Sequence, residues 1–230
     1  MSGTTTNLER KVILRSVIYP LVLIAALFVS AGKLLYLQGI VYSVLTIAVL
    51  AATYAISRNN PELINERLHP KKGMKPWDKA YLSAAAVLYF SIIIIGPVDA
   101  VRCNNAQKLP GYVFILSIIL YIAGYAIFLW ARKTNNYFSS VVRIQNDRGH
   151  KVCNSGPYRI IRHPGYFGAI FYTMATPLLL GSTIALIPAL LSVVLVIIRT
   201  ILEDSTLKME LDGYKEYAEK VKYRLLPFIW

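Results

Sequence analysis

The chain has 230 residues, 56% of them hydrophobic, and a formal net charge of +13. Its hydrophobic residues fall in long runs, unlike the mixed patterns of a water-soluble domain, and this excludes a soluble globular fold. The positive charge follows the distribution typical of membrane proteins, so the expected partner is anionic membrane lipid and not nucleic acid.

Six apolar runs are candidates for transmembrane helices, since a helix needs about 20 residues to cross a bilayer. In chain order they are 12–30, 34–56, 80–98, 111–131, 166–180 and 183–201. The fifth run is short and contains Pro177, so it could form a hairpin with the sixth instead of a full crossing. No clean signal-peptidase site follows the first run, which we expect to remain as a helix. The sequence therefore predicts an all-α integral membrane protein with about six transmembrane helices in one membrane domain, 1–230.

Lysine and arginine are concentrated in alternate segments between these runs. The N-terminus, two long loops (57–79 and 132–165) and the C-terminal tail hold nearly all of them. The outer segments hold only Lys33, Arg102 and Lys108. Because basic segments stay in the cytoplasm, both termini and both long loops are predicted to be cytoplasmic, with an even number of crossings.

The tail continues the last run with apolar residues at helical spacing, among them Leu207, Leu211, Tyr214 and Tyr217. This pattern predicts a helix that leaves the membrane, breaks at Gly213 and then lies along the cytoplasmic interface. The outer links are short, so any chemistry should be located at the cytoplasmic face.

The usual motifs of nucleotide-binding, zinc-hydrolase and serine-hydrolase sites are absent from the sequence. Charges do not run through the middle of several helices, as a proton-coupled transporter would need. Cys103 and Cys153 are predicted on opposite sides of the membrane and lack the spacing of a zinc site. We therefore expect neither a disulfide nor a metal site.

Arg199 and Glu203 lie about one helical turn apart at the inner end of the sixth run, and Asp204 follows directly. One interpretation is a salt bridge between Arg199 and Glu203 at the membrane interface. The other is that they face a cavity, because ionisable groups at membrane depth usually do so. An acidic spot on a basic face suits a ligand with a cation, a ribose diol or an amine.

The stretch GPYRIIRHPGYFG at 156–168 leads into the fifth run. Its prolines and glycines bend the backbone and allow a ligand to approach closely. Taken singly, His163 could be an interfacial histidine, and Tyr158 and Tyr166 could belong to the aromatic belt of the membrane surface. Together with His150 they indicate a pocket for a small zwitterionic molecule.

Four sequence segments carry a family resemblance. Residues 150–168, RTILED at 199–204, GYKEY at 213–217 and RLLP at 224–227 resemble the isoprenylcysteine carboxyl methyltransferase family. The loop at 60–78 is similar to prokaryotic members of that family. The resemblance implies metal-free methyl transfer from S-adenosylmethionine to a lipid-borne acceptor, with S-adenosylhomocysteine as the product. The carboxylate of a prenylated cysteine or a similar isoprenoid would be the acceptor.

The resemblance also implies an organisation and a set of site residues. N-terminal helices and a cytoplasmic loop would occupy 1–110, and the catalytic methyltransferase core 111–230. Arg199 would bind the acceptor and, with Glu203, carry catalysis. The cofactor would be bound by Arg143, Gln145, His150, Lys151, Val152, Cys153, Tyr158, His163, Pro164, Gly165, Tyr166 and Glu203. The family often has glutamine at the position of Arg143, whereas this chain has its glutamine two residues later.

Three alternatives stay open. A phospholipid amine N-methyltransferase shares the acidic pair but needs a base, for which Glu203 or Asp204 could serve. A membrane sterol reductase of related architecture binds NADPH, whose phosphates would disfavour a carboxylate such as Glu203. A non-enzymatic lipid-binding scaffold would bind no cofactor and would tolerate Glu203→Gln. The membrane would be the plasma membrane in a prokaryote or the endoplasmic reticulum in a eukaryote.

Overall fold

The computed structural model describes residues 18–58 and 73–230, and the regular elements within these ranges are all helical. The α-helices are α1 (Ile18–Ala31), α2 (Leu37–Arg58), α3 (Pro76–Pro97), α4 (Gly111–Thr134), α5 (Pro164–Leu179), α6 (Leu186–Glu210) and α7 (Tyr214–Lys220). The predicted all-α class is thus confirmed for the described part of the chain.

Four of these helices are long and apolar enough to cross a membrane: α2, α3 with the π-helical turn that extends it to Arg102, α4 and α6. The described part of α1 is shorter, and the start of the predicted first run, 12–17, lies outside the described residues, as does 59–72 of the first long loop. Helix α5 has only 16 residues, in agreement with the short fifth run. Four of the six predicted crossings therefore have the length of a full crossing in the described ranges.

Helix α6 extends beyond the predicted sixth run. It has 25 residues and continues to Glu210 without a break, so Arg199, Glu203 and Asp204 lie on one rigid helix. Gly213 follows in the left-handed conformation (φ 78°), which favours glycine, and α7 begins directly after it. The predicted break at Gly213 is therefore confirmed.

Proline starts two of the helices that contact the loop at 135–163. Pro76 begins α3 and Pro164 begins α5, where the missing N–H breaks no helical hydrogen bond. The residue before each proline, Lys75 or His163, has a non-helical backbone, as the proline ring requires. The Lys75 N–H also donates to the Val142 carbonyl at 3.2 Å, so the loop is tied to the start of α3.

Helices α4 and α5 approach each other at two glycines. A Cβ atom at Gly124 would lie 2.7 Å from the carbonyl oxygen of Gly168, closer than real Cβ contacts, so only glycine fits. This close packing sets the start of α5 beside the end of α4, where the cavity described below is located.

At the end of the bundle opposite the cavity, Asp99 holds the helix ends together by hydrogen bonds. This carboxylate is buried in the π-helical turn after α3 and accepts hydrogen bonds from the Ser182 hydroxyl (2.6 Å), the Ile184 N–H (3.3 Å) and the Asn105 amide. It thereby joins the end of α3 to the short link between α5 and α6.

Candidate functional site

A cavity lies where the 135–163 loop, the start of α5, the last turns of α6 and the helix α7 meet. Eleven of the thirteen residues that the sequence assigned to the site line it: Arg143, Gln145, His150, Lys151, Val152, Cys153, Tyr158, His163, Gly165, Tyr166 and Glu203. Pro164 begins α5 beside the cavity but does not line it, and Arg199 lies behind its wall. The fold therefore brings together residues up to 60 positions apart in sequence.

Gln145 organises the loop wall instead of projecting freely. Its side chain is buried, donates to the Tyr137 carbonyl (2.7 Å) and accepts from Arg148 (2.6 Å). Its N–H donates to His150 Nδ1 at 3.3 Å. Arg143, at the position where the family often has glutamine, forms a 2.9 Å ion pair with Asp147. Both side chains thus have partners within the loop.

Tyr158 forms a deep part of the wall. Burial raises the pKa of Tyr158, so its phenol stays protonated at neutral pH. The Tyr217 hydroxyl of α7 donates to the Tyr158 carbonyl at 2.7 Å. Helix α7 therefore supports the cavity wall from behind.

The turn into α5 presents an aromatic surface. The rings of His163 and Tyr166 are nearly parallel, with centroids 5.7 Å apart. Gly165 leaves room for Phe138, since a Cβ atom there would lie 3.0 Å from the phenyl ring. The Tyr166 hydroxyl donates to Glu203. This surface can pack against a planar or cationic group and orient the one carboxylate of α6 that lines the cavity.

Glu203 and Asp204, adjacent in sequence, have different environments. Glu203 lines the cavity, whereas Asp204 is 1% exposed. Four groups surround the Asp204 carboxylate within 3.2 Å: Arg162 Nε (2.7 Å), Arg224 Nε (3.0 Å), the Tyr214 hydroxyl (3.0 Å) and Lys208 Nζ (3.2 Å). His163 Nε2 lies 3.5 Å away. Asp204 therefore joins α6, α7, the loop and the tail, and it has no free lone pair for a base role towards the cavity.

Arg199 pairs with Asp78 of α3. Its Nε lies 3.0 Å from Asp78 Oδ1, although neither atom has a well-directed hydrogen bond, and its Nη2 lies 3.3 Å from Asp78 Oδ2. Nη2 also donates to the Ser140 carbonyl at 2.9 Å. The alternative of a salt bridge between Arg199 and Glu203 is wrong, since no ion pair joins these two described residues.

Residues 115–209 match the sequence model of the isoprenylcysteine carboxyl methyltransferase (ICMT) family. These residues are therefore similar to the ICMT family. The matched range begins inside α4 and ends at the last turn of α6, so it contains the whole 135–163 loop and the charged end of α6.

Curated relatives agree with this similarity. The chain is 30% identical over 121 residues to a probable protein-S-isoprenylcysteine O-methyltransferase of Oryza sativa subsp. indica, and equally to that of subsp. japonica. The alignment covers 51% of this chain and 63% of each rice protein. The chain is also 29% identical over 133 residues to the Delta(14)-sterol reductase of Schizosaccharomyces pombe. This second alignment covers 52% of the chain and 31% of the reductase. The chain thus spans less than two thirds of the length of these relatives.

Asp78 is a residue beside the candidate site that the sequence did not single out. It is fully buried, it pairs with Arg199, and its Oδ2 accepts from the Val142 N–H of the cavity wall at 2.7 Å. It lies outside the range matched to the ICMT family. An acidic residue in the first turn of a membrane helix, two residues after Pro76, is the one signal that could have indicated it.

Proposed function

We propose that the protein is a membrane methyltransferase that uses S-adenosylmethionine and releases S-adenosylhomocysteine. The acceptor is the carboxylate of a prenylated cysteine or a similar isoprenoid. The observation that supports this most strongly is that most of the cavity lies in the region matched to the ICMT family, where Glu203, the aromatic turn at 163–166 and the 150–153 segment line it together.

The cavity residues fit the chemistry of this cofactor. Glu203 can accept hydrogen bonds from hydroxyl or ammonium groups of the cofactor. Val152 and Leu207 offer apolar surface for its adenine ring, and the tyrosine rings suit its sulfonium cation. The cofactor supplies a methyl carbon already activated by the adjoining sulfonium. The residues of this chain therefore have to orient the two reactants and exclude water.

Arg199 is our candidate for the acceptor carboxylate. Asp78 and Ser140 contact its Nε and Nη2 atoms, so Nη1 is the candidate donor to the acceptor. A carboxylate nucleophile needs no general base, and one charged hydrogen bond from Nη1 would orient it. We expect a single-point contact here instead of the bidentate one that a free arginine offers.

The membrane orientation follows from the charge pattern. The cavity is built largely from the basic 132–165 loop, so we propose that it opens to the cytoplasm, with both termini on that side and α7 along the interface. The S-adenosylmethionine would come from the cytosol and the prenylated acceptor from the bilayer. The membrane would be the plasma membrane of a prokaryote or the endoplasmic reticulum of a eukaryote.

The first test is calorimetric binding of S-adenosylmethionine and S-adenosylhomocysteine to the detergent-purified protein. We expect Glu203→Gln to weaken binding about tenfold to a hundredfold, the equivalent of one charged hydrogen bond. Glu210→Gln is the matched control, because Glu210 lies on the same helix but pairs with Lys75 outside the cavity, and it should bind like the wild type. Equal affinity of wild type and Glu203→Gln would contradict the assigned role of Glu203.

The same preparation separates the alternatives. NADPH binding without S-adenosylmethionine binding would favour a reductase, the activity in the name of the S. pombe relative. Methylation of phosphatidylethanolamine, but not of N-acetyl-S-farnesylcysteine, would favour an amine acceptor. In that case Glu203 is the candidate base, since Asp204 is enclosed by cations.

A further inference from the structure

Asp78 is a buried carboxylate whose partners all belong to the site. It lies in the first turn of α3 with 0% exposure. Its two oxygens contact Arg199 at 3.0 and 3.3 Å, and Oδ2 also accepts from the Val142 N–H. A buried charge costs several kcal/mol unless it is paired, so this carboxylate is held in place by the positive charge of Arg199.

Arg199 is held from several directions. Its guanidinium lies over the rings of Tyr81 (4.4 Å) and Tyr166 (5.3 Å), and Nη2 donates to the Ser140 carbonyl. Glu203 is four residues further along the helix, the spacing at which oppositely charged side chains commonly pair. Here Glu203 instead accepts from the Tyr166 hydroxyl and lines the cavity.

We propose that Asp78 is a positioning residue that holds Arg199 away from Glu203 and thereby keeps the Glu203 carboxylate available to the cofactor. Without the charge of Asp78, Arg199 would turn to Glu203, the carboxylate within reach on its own helix. Cofactor and arginine would then compete for Glu203, and the guanidinium beside Glu203 would repel a sulfonium cation. The inference rests on the proposed function in one respect, the role of Glu203 as a cofactor ligand.

The binding experiment uses Asp78→Asn, which keeps the volume of the side chain and one oxygen for the Val142 N–H but removes the charge. We expect the affinity for S-adenosylmethionine to fall about tenfold. Adding Arg199→Gln to Asp78→Asn should return the affinity to within about threefold of the wild type, because the competing cation is gone. Recovery by removal of a second buried side chain would not occur if Asp78 were only a structural residue.

Asp99→Asn is the matched control, since Asp99 is a buried carboxylate at the other end of the same helix and is far from the cavity. It should leave cofactor affinity unchanged. Unchanged affinity in Asp78→Asn would overturn the proposal. A loss that Arg199→Gln does not reverse would also overturn it.

A second experiment needs no ligand. Arg199→Gln and Glu203→Gln are combined in the wild type and in the Asp78→Asn background, and the thermal unfolding midpoint of each variant is measured. The two substitutions share the contact with Tyr166 in the wild type, so some coupling is expected there, and the coupling should be clearly larger in the Asp78→Asn background, where the charges pair directly. Equal coupling in both backgrounds would refute the proposal even if the wild type bound no S-adenosylmethionine, an outcome that by itself would count only against the proposed function.

Discussion

The two ends of α3 each carry a buried aspartate, and the two are held in different ways. Asp99 accepts hydrogen bonds from neutral groups, a hydroxyl, a side-chain amide and a backbone N–H, all within the short links of that end. Asp78 is paired with the guanidinium of Arg199 and touches the wall of a cavity. Neutral donors join helices locally, whereas a charge pair also sets the electrostatics of the space beside it. The difference distinguishes the Asp78 end, which lies beside the candidate site, from the Asp99 end.

The largest effect on stability should come from the cavity end, at Asp204. Asp204→Asn would leave Arg162 and Arg224 buried or half-buried without their counter-charge. Breaking a buried ion pair by removing one partner typically costs about 3–5 kcal/mol. We expect a loss of this order in the free energy of unfolding, measured with denaturant in detergent. Asp212→Asn, at an exposed neighbouring position, should be neutral. Equal stability of the two variants would mean that the cluster around Asp204 contributes little.

A smaller effect is expected at the Asp99 end. Asp99→Asn removes an acceptor for Ser182 and Ile184, and a buried group left unsatisfied costs about 1–3 kcal/mol. The thermal midpoint should fall while methyl transfer, normalised to folded protein, stays at the wild-type level. If activity fell with stability intact, the two ends of the bundle would be coupled and the contrast drawn between them would be wrong.

The smallest effect concerns the support of the cavity wall. Tyr217→Phe removes the hydrogen bond to the Tyr158 carbonyl, which is worth about 1 kcal/mol. We expect S-adenosylmethionine affinity to fall by about twofold to fivefold, since one bond to the wall is lost and no contact in the cavity. Tyr112→Phe, at an exposed tyrosine at the start of α4, serves as the control. An unchanged affinity in both variants would show that α7 does not stabilise the wall.

Much of the helical framework was predictable from hydrophobic runs, because each crossing needs a long apolar segment. The short fifth helix, its start at Pro164 and the break at Gly213 were also predictable from local backbone chemistry. The continuation of α6 to Glu210, past the end of the apolar run at 201, was also predictable, because apolar residues at helical spacing continue into the tail. Charge marks where a helix leaves an apolar environment and not where it ends.

Most of the candidate site was also predictable, because its residues cluster in 143–166 and 203 and resemble a family pattern. The pairing among the charges was not. Spacing favoured Arg199 with Glu203, yet Arg199 pairs with Asp78, 121 residues away. Likewise, Glu203 and Asp204 were equal candidates for a base role, yet of the two only Glu203 lines the cavity.

The sequence alone determined the helical class and the alternating basic segments, and it predicted a candidate site near the loop and the charged end of α6. These are local properties, set by the runs of apolar side chains and by proline and glycine. The tertiary structure decided which acid faces the cavity, which acid joins the tail to α6, and which acid pairs with Arg199. Adjacent residues on a helix point about 100° apart, so the packing of α3, α7 and the loop around α6 gave each carboxylate its partners.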